Sequence, residues 1–314
     1  CYKHSGLGTS GTAKHLSYMT LKKKIGWTAG ILLVLIAGIC IGGSLYLIDF
    51  SLRPENRGKN MEESEAFMRT EYPQIVPWLD SLQQHHALRD TFITAPDGIR
   101  MHAFYARASR PTRRTAIIVH GYTDNAIRMF HIGYLYNQSL DYNILLPDLR
   151  YTGLTEGDAI QMGWLDRKDV LQWIDTAPAL FGDSLKAVVH GISMGAATTM
   201  MVWDQFSKEL KGLFGLPPFP LLYTASWICQ LQNGWNFQEA SALAQVARCT
   251  KPMLFIHGDN DDFVPTWMVY KVYAAKPSPK EIWITESVDH AHSYKLYPDE
   301  YTEKVKAFTD KYVR

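Results

Sequence analysis

Residues Ala187 to Ala197 read AVVHGISMGAA, and this stretch decides the fold. Val188 and Val189 belong to a strand pattern, Gly191-Ile192-Ser193-Met194-Gly195 forms G-x-S-x-G, and small residues with Met then begin a helical pattern. A strand that turns sharply into a helix holds its apical serine in a strained backbone conformation. The glycines two before and two after let strand and helix approach closely. The hydroxyl is then presented clear of the backbone. The Met194 N–H points from a helix N-terminus toward the place where an oxyanion would develop. The competing reading is a serine N-cap between two packing glycines.

Working outward from the elbow, strand patterns begin at Arg89 with RDTFITA, the turn Pro96-Asp97-Gly98, and IRMHAFYARA, which predicts a hairpin at the start of a sheet. Buried strands then alternate with helices. TAIIVHG is followed by a helix around 127–138, YNILLPD by a helix around 167–177, and KAVVHGIS leads into the elbow. Beyond it come PMLFIHGD, a helix around 267–275, EIWIT, and a last helix around 300–313. Strands that are apolar throughout and separated by helices predict a mostly parallel, doubly wound α/β sheet covered on both faces. In such sheets ligands bind beyond the carboxyl ends of the strands. His120-Gly121, Ser193, Asp259-Asn260-Asp261 and the loop at His290 all fall there.

An unassisted serine hydroxyl is a poor nucleophile and needs a histidine base oriented by a carboxylate. The chain supplies both after the serine, in the order Ser, Asp, His. With these features residues 89–314 resemble an α/β-hydrolase, in particular the serine esterase and acyl-hydrolase group with HG-x-x-D-x-x-V-P before the acid. Here that motif reads His257-Gly258-Asp259-Asn260-Asp261-Asp262-Phe263-Val264-Pro265, and its register implies Asp261 as the acid. Asp259 and Asp262 are then turn-forming carboxylates. The resemblance implies His290 as the base in Asp289-His290-Ala291-His292-Ser293-Tyr294, with His292 its neighbour. It further implies an oxyanion hole from the backbone N–H groups of Met194 and Tyr122, with Asp124 capping the following helix. His120, His190 and His257 belong to strand ends, where histidines satisfied by backbone hydrogen bonds are expected. The resemblance requires no metal or cofactor, and no ligand cluster with zinc spacing is present.

Residues 211–248, rich in proline and aromatics over 213–240, predict a cap with apolar walls. The interval from Ser193 to Asp261 departs from the resemblance, because no β-rich segment lies between the nucleophile helix and the cap. The strong helix formers after Ser193 instead predict one long helix over 194–208. Either the strand carrying Phe255 then lies beside the nucleophile strand or a gap opens in the sheet, with Asp261 in danger of lying out of reach of His290.

At the other end, Lys22-Lys23-Lys24 precede residues 25–48, which carry no charge and are long enough to cross a bilayer core of about 30 Å. Lysines abutting the span predict a signal anchor in the cell membrane, N-terminus inside and body outside the cytoplasm. A cleaved signal peptide competes, since Gly42-Gly43-Ser44 offers small residues at a suitable spacing, but the run exceeds the usual h-region of about 7–15 residues. Residues 1–24 read as an unstructured cytoplasmic tail, and 49–88 as a linker with a short helical approach segment interrupted by Pro73 and Pro77. A net charge of +1 gives no electrostatic reason to expect nucleic acid. Four scattered cysteines indicate no disulfide framework.

The expected function is a membrane-anchored serine hydrolase acting on a small-molecule or lipid-like acyl ester through an acyl-enzyme. Thioesterase, amidase or acyltransferase chemistry would use the same residues. The alternative from another class is a hydrolase-like binding scaffold disabled by the absent strand.

Overall fold

The computed structural model describes residues 10–202 and 218–313. A helix, α1 (Ser10–Leu52), leads the chain, and its 31-residue stretch from Lys22 to Leu52 holds an 18-residue window with a mean hydropathy of 2.6, of which 11% is buried. It is the one helix long and apolar enough to cross a membrane among the described residues. Residues 10–24, expected to be unstructured, continue this helix. A long apolar helix supplies the costly nucleus, and lysines extend it with little penalty.

Two short helices follow, α2 (Met61–Glu71) and α3 (Val76–Gln84). Asn60 caps α2 by accepting the Glu63 N–H at 3.1 Å. Pro77 stands in the first turn of α3, where its missing N–H leaves no bond unmade, so it starts a helix rather than interrupting one. The segment joining α1 to α2 is docked rather than free. Asn125 Nδ2 donates to the Gly58 carbonyl at 2.8 Å, Lys59 Nζ to the Thr155 carbonyl at 3.0 Å, and Arg57 lies over the Tyr151 ring.

The hairpin forms as expected, β1 (Arg89–Thr94) pairing antiparallel with β2 (Arg100–Ala106). Then come β3 (Arg114–Val119), α4 (Phe130–Tyr134), β4 (Asn143–Pro147), α5 (Asp166–Phe181), β5 (Lys186–Gly191) and α6 (Met194–Met201). These five strands form one mixed sheet in the order β1-β2-β4-β3-β5, with β3 parallel to both β4 and β5. One face packs on α2, α3 and α4 through Met68, Leu79, Ile132 and Ile144; the other packs on α5 through Val170, Trp173, Ile117 and Leu145.

Helix α6 ends at Met201 with Val202 after it, and residues 203–208 of the long helix expected over 194–208 lie outside the described residues. After them come α7 (Tyr223–Asn233), α8 (Ala242–Val246), β6 (Met253–Gly258), α9 (Trp267–Ala275), β7 (Lys280–Thr285), α10 (Ser293–Leu296) and α11 (Pro298–Tyr312). Strands β6 and β7 pair parallel in a sheet of their own. Among the described residues no strand lies between β5 and β6. The two sheets nevertheless share a core, since Leu254, Ile256 and Trp283 pack against the same cluster as Val188 and Ile192. Of the expected cap, the start lies outside the described residues. Its described part buries Ala225, Ile228, Cys229 and Trp235 against Ile48 and Leu52 of α1 and Ala159. Cys229 and Cys249 are buried free thiols.

Candidate active site

Ser193 sits at the elbow between β5 and α6 with φ 55° and ψ −120°, a conformation a non-glycine residue adopts only when its surroundings enforce it. The enforcement is steric. A Cβ on Gly191 would stand 2.2 Å from the Gly195 carbonyl oxygen, and one on Gly195 would stand 2.2 Å from that of Val119. Only glycine lets the strand, the helix and β3 come this close.

The serine hydroxyl lies 2.8 Å from His290 Nε2, and His290 Nδ1 lies 2.7 Å from Asp261 Oδ2. Asp261 is buried and its Oδ1 accepts the Val264 N–H at 2.7 Å. The carboxylate is therefore oriented from behind while it faces the imidazole. The three residues come together across the break between the sheets, so the expected danger to the Asp261–His290 contact is not realised.

The neighbouring carboxylates take other work. Asp259 Oδ1 accepts the Ser287 N–H at 2.6 Å, and Asn260 Nδ2 donates to Asp289 at 2.7 Å, which together fasten the loop carrying His290. That loop holds Ser287 and Ala291 at positive φ, so it is shaped by these bonds and not by glycine. Asp262 is exposed. His292 is exposed at the start of α10. Near it the Glu71 carboxyl is held below its ordinary value, first by its hydrogen bond to Lys295 and to a lesser degree by His292.

The three strand-end histidines are held by hydrogen bonds within the fold. His120 Nδ1 donates to the Gly121 carbonyl at 2.7 Å and its Nε2 accepts the Leu149 N–H at 2.9 Å. His190 sits between the Tyr136 and Tyr301 hydroxyls at 3.2 and 3.1 Å. Burial lowers the pKa of both, that of His190 to about 4, which leaves them neutral and weakly basic. His257 Nε2 donates to the Val264 carbonyl at 2.9 Å beside Asp261.

Tyr122 and Met194 follow β3 and Ser193, and the Tyr122 hydroxyl donates to the Ser51 carbonyl of α1 at 2.8 Å. Asp124 does not cap the next turn. Asn125 does, its side chain accepting the Arg128 N–H, while Asp124 pairs with Arg128 at 3.4 Å. The Asn125 side chain is of the same length but stands one residue nearer, and so meets the N–H at the N3 position that a cap must reach.

Sequence reasoning missed Asp148, which is buried at the end of β4. Its Oδ1 accepts the Ala126 N–H at 2.7 Å, and its Oδ2 takes the Leu154 N–H at 2.9 Å and His102 Nδ1 at 2.7 Å. One carboxylate thus ties the loop after β3 to the loop after β4. The signal was the acid closing the apolar run YNILLPD, a buried charge that must be paired.

The family model of the prolyl oligopeptidase family matches residues 158–314, half of the chain and the half that contains Ser193, Asp261 and His290. The chain belongs to the prolyl oligopeptidase family. It is 28% identical to the uncharacterised protein YqkD of Bacillus subtilis over 227 residues, 66% of this chain and 74% of that one. Among solved structures it is similar to the Pyrococcus furiosus esterase Pf2001, at 19% identity and a TM-score of 0.55, covering 72% of this chain and 93% of that chain. It is also similar to the α/β hydrolase GrgF from Penicillium sp. sh18, at 14% identity and a TM-score of 0.51, covering 72% and 99%. At such identities the likeness is one of fold, and the fold is that of the α/β-hydrolases. Family membership supports hydrolase activity.

Proposed function

We propose that this protein is a serine hydrolase that cleaves carboxylic esters through an acyl-enzyme, held at the cell membrane by α1 with its catalytic body outside the cytoplasm. The observation that carries the reading is the continuous chain of hydrogen bonds from Ser193 through His290 to Asp261. His290 Nε2 takes the serine proton as Oγ attacks the ester carbonyl, Asp261 holds the tautomer and balances the imidazolium, and the N–H groups of Tyr122 and Met194 receive the oxyanion. His290 then protonates the leaving alkoxide, and water repeats the sequence on the acyl-enzyme. The family's name favours a second leaving group, the amine of a peptide bond, which the same residues would release.

The test is labelling of the full chain with a fluorophosphonate, which reacts only with an activated serine. Labelling lost in Ser193→Ala supports the reading, and an unlabelled wild type returns the protein to a binding scaffold. Acyl esters of graded length assayed beside a proline-containing peptide then separate ester from peptide cleavage. Anchoring is read from resistance to carbonate extraction and protease access on intact cells. A soluble form beginning near Leu45 would replace the anchor with a cleaved signal peptide.

A further inference from the structure

We propose that the outer face of α7, with the last turns of α1, lies in the interfacial layer of the bilayer, so that the site works against the membrane surface. The inference rests on the anchoring reading above. Helix α7 buries Ala225, Ile228 and Cys229, yet its outer stripe is apolar as well. Trp227 is 62% and Leu231 65% exposed, one turn apart, and Tyr223, one turn earlier, is 56% exposed. A contiguous stripe of this kind marks an interaction surface, and tryptophan and tyrosine are the residues that favour the boundary between lipid and water.

The occupant follows from what lies beside the stripe. Helix α1 buries Ser44, Ile48 and Leu52 toward the body, while Tyr46 and Phe50 stack on each other at 6.1 Å and remain exposed. Ser44 Oγ donates to the Leu221 carbonyl at 3.1 Å, which fixes the start of α7 against α1 at that level. Asp49 is the first charged residue after Lys24, five residues beyond Ser44. At about 1.5 Å per residue the Leu221 contact therefore lies roughly 7 Å on the membrane side of the first charge. Interfacial helices bury their apolar faces by about 5–10 Å, so α7 begins within the layer such helices occupy. A second protein seated on this face would have to displace the lipid that already surrounds the apolar length of α1.

The body cannot swing clear of this level. Besides the Tyr122–Ser51 bond, the Ile160 N–H donates to the Leu52 carbonyl at 2.8 Å, and Arg53 Nε to the Asp158 carbonyl at 3.2 Å. The loop bearing Tyr122 is thereby one hydrogen bond from the membrane helix. At the other side of the site Phe263, 73% exposed, stands 5.0 Å from the His290 ring. Such a site suits an ester whose acyl chain is dissolved in the bilayer and whose carbonyl lies at its surface.

The experiment reconstitutes the full chain in phosphatidylcholine vesicles containing a diazirine-bearing phospholipid, photolyses them, and maps the labelled peptides. Label on both α1 and the peptide carrying Trp227 and Leu231 is expected. Label on α1 with none on α7 overturns the proposal and leaves the anchor standing. Label on α7 alone removes the anchor from which the depth of α7 is argued, and it overturns the proposal with the anchor, as does label on neither. In a second arm the double variant Trp227→Ser, Leu231→Ser is assayed on a long-chain ester in the vesicle and on a short soluble ester. The ratio of the two rates should fall about ten-fold as interfacial anchoring weakens. An unchanged ratio overturns the proposal.

Discussion

Strands β3 and β4 are buried along almost their whole length, whereas in β6 and β7 only Phe255, Gly258 and Thr285 are buried. The first sheet carries Ser193, and the second carries Asp261 and leads into His290. No backbone ladder joins the two sheets among the described residues, yet the side chains meet at 2.7 and 2.8 Å. What spans the break is helix packing at the C-terminal end. Tyr301 of α11 hydrogen-bonds His190 of β5, and Tyr294 of α10 packs with Tyr72 and His131. The proposed catalytic geometry is therefore fixed by side chains behind the strands, with no ladder joining the two sheets among the described residues.

The largest effect should come from the first sheet. Ser193→Ala removes the proposed nucleophile while leaving a small residue at the elbow, and turnover of an activated ester should fall by roughly 10⁵-fold or more. The thermal midpoint, measured in detergent, should not move by more than a degree or two, an outcome that separates chemistry from folding. Turnover near wild type would remove Ser193 from the reaction.

The second sheet is tested by its carboxylates. Asp261→Asn should lower kcat by about 10⁴, because an amide favours the wrong imidazole tautomer. Asp259→Asn keeps an oxygen for the Ser287 N–H and should cost less than about ten-fold, since its role is to fasten a loop. A larger loss at Asp259 would mean that the two carboxylates exchange roles.

Packing sets the next scale. Ile117 of β3 is fully buried, and Ile117→Ala should destabilise by about 3–5 kcal/mol, while Leu254→Ala on the half-buried β6 should lose about half as much. Denaturant unfolding followed separately by hydrogen exchange in β3 and β6 would show it. Equal losses would mean that the break between the sheets has no energetic consequence.

How much of this was legible depended on sequence distance. The elbow, the hairpin and each apolar strand declare themselves within ten residues, because strand period and turn chemistry are local. The lack of a β-rich run between the nucleophile helix and the cap was also visible. That the carboxylate still reaches His290 was not, since the tie from Tyr301 to His190 joins positions 111 residues apart. The docking of 53–60 on the loops after β3 and β4, and of α7 on α1, was hidden for the same reason. So was Asp148, whose partners His102, Ala126 and Leu154 share no pattern with it.

The smallest expected effect reverses the comparison, placing a weakness in the better packed half. His131 on α4 and His190 on β5 are buried, and burial lowers their pKa values to about 3 and about 4. Each is neutral in the folded protein and takes up a proton near its ordinary value of about 6.5 once unfolded. A depressed folded-state pKa means that the unfolded chain binds more protons between that value and its ordinary one. The stability these histidines confer is therefore fully present above about pH 6.5 and is lost progressively as pH falls toward 4. His131 isolates the effect, because its ring stacks on Tyr72 at 4.5 Å while its Nδ1 has no partner among the described residues. His131→Phe keeps the stack and removes the titration. At pH 7.5 the variant should unfold within about 1 kcal/mol of wild type, because it loses the hydrogen bond to the Arg128 backbone but also removes an orphaned buried nitrogen. At pH 5 it should be the more stable of the two by about 1–2 kcal/mol. A difference between variant and wild type that stays constant from pH 7.5 to 5 would show that His131 is already charged in the folded protein, and that the core around α4 is wetter than its packing implies.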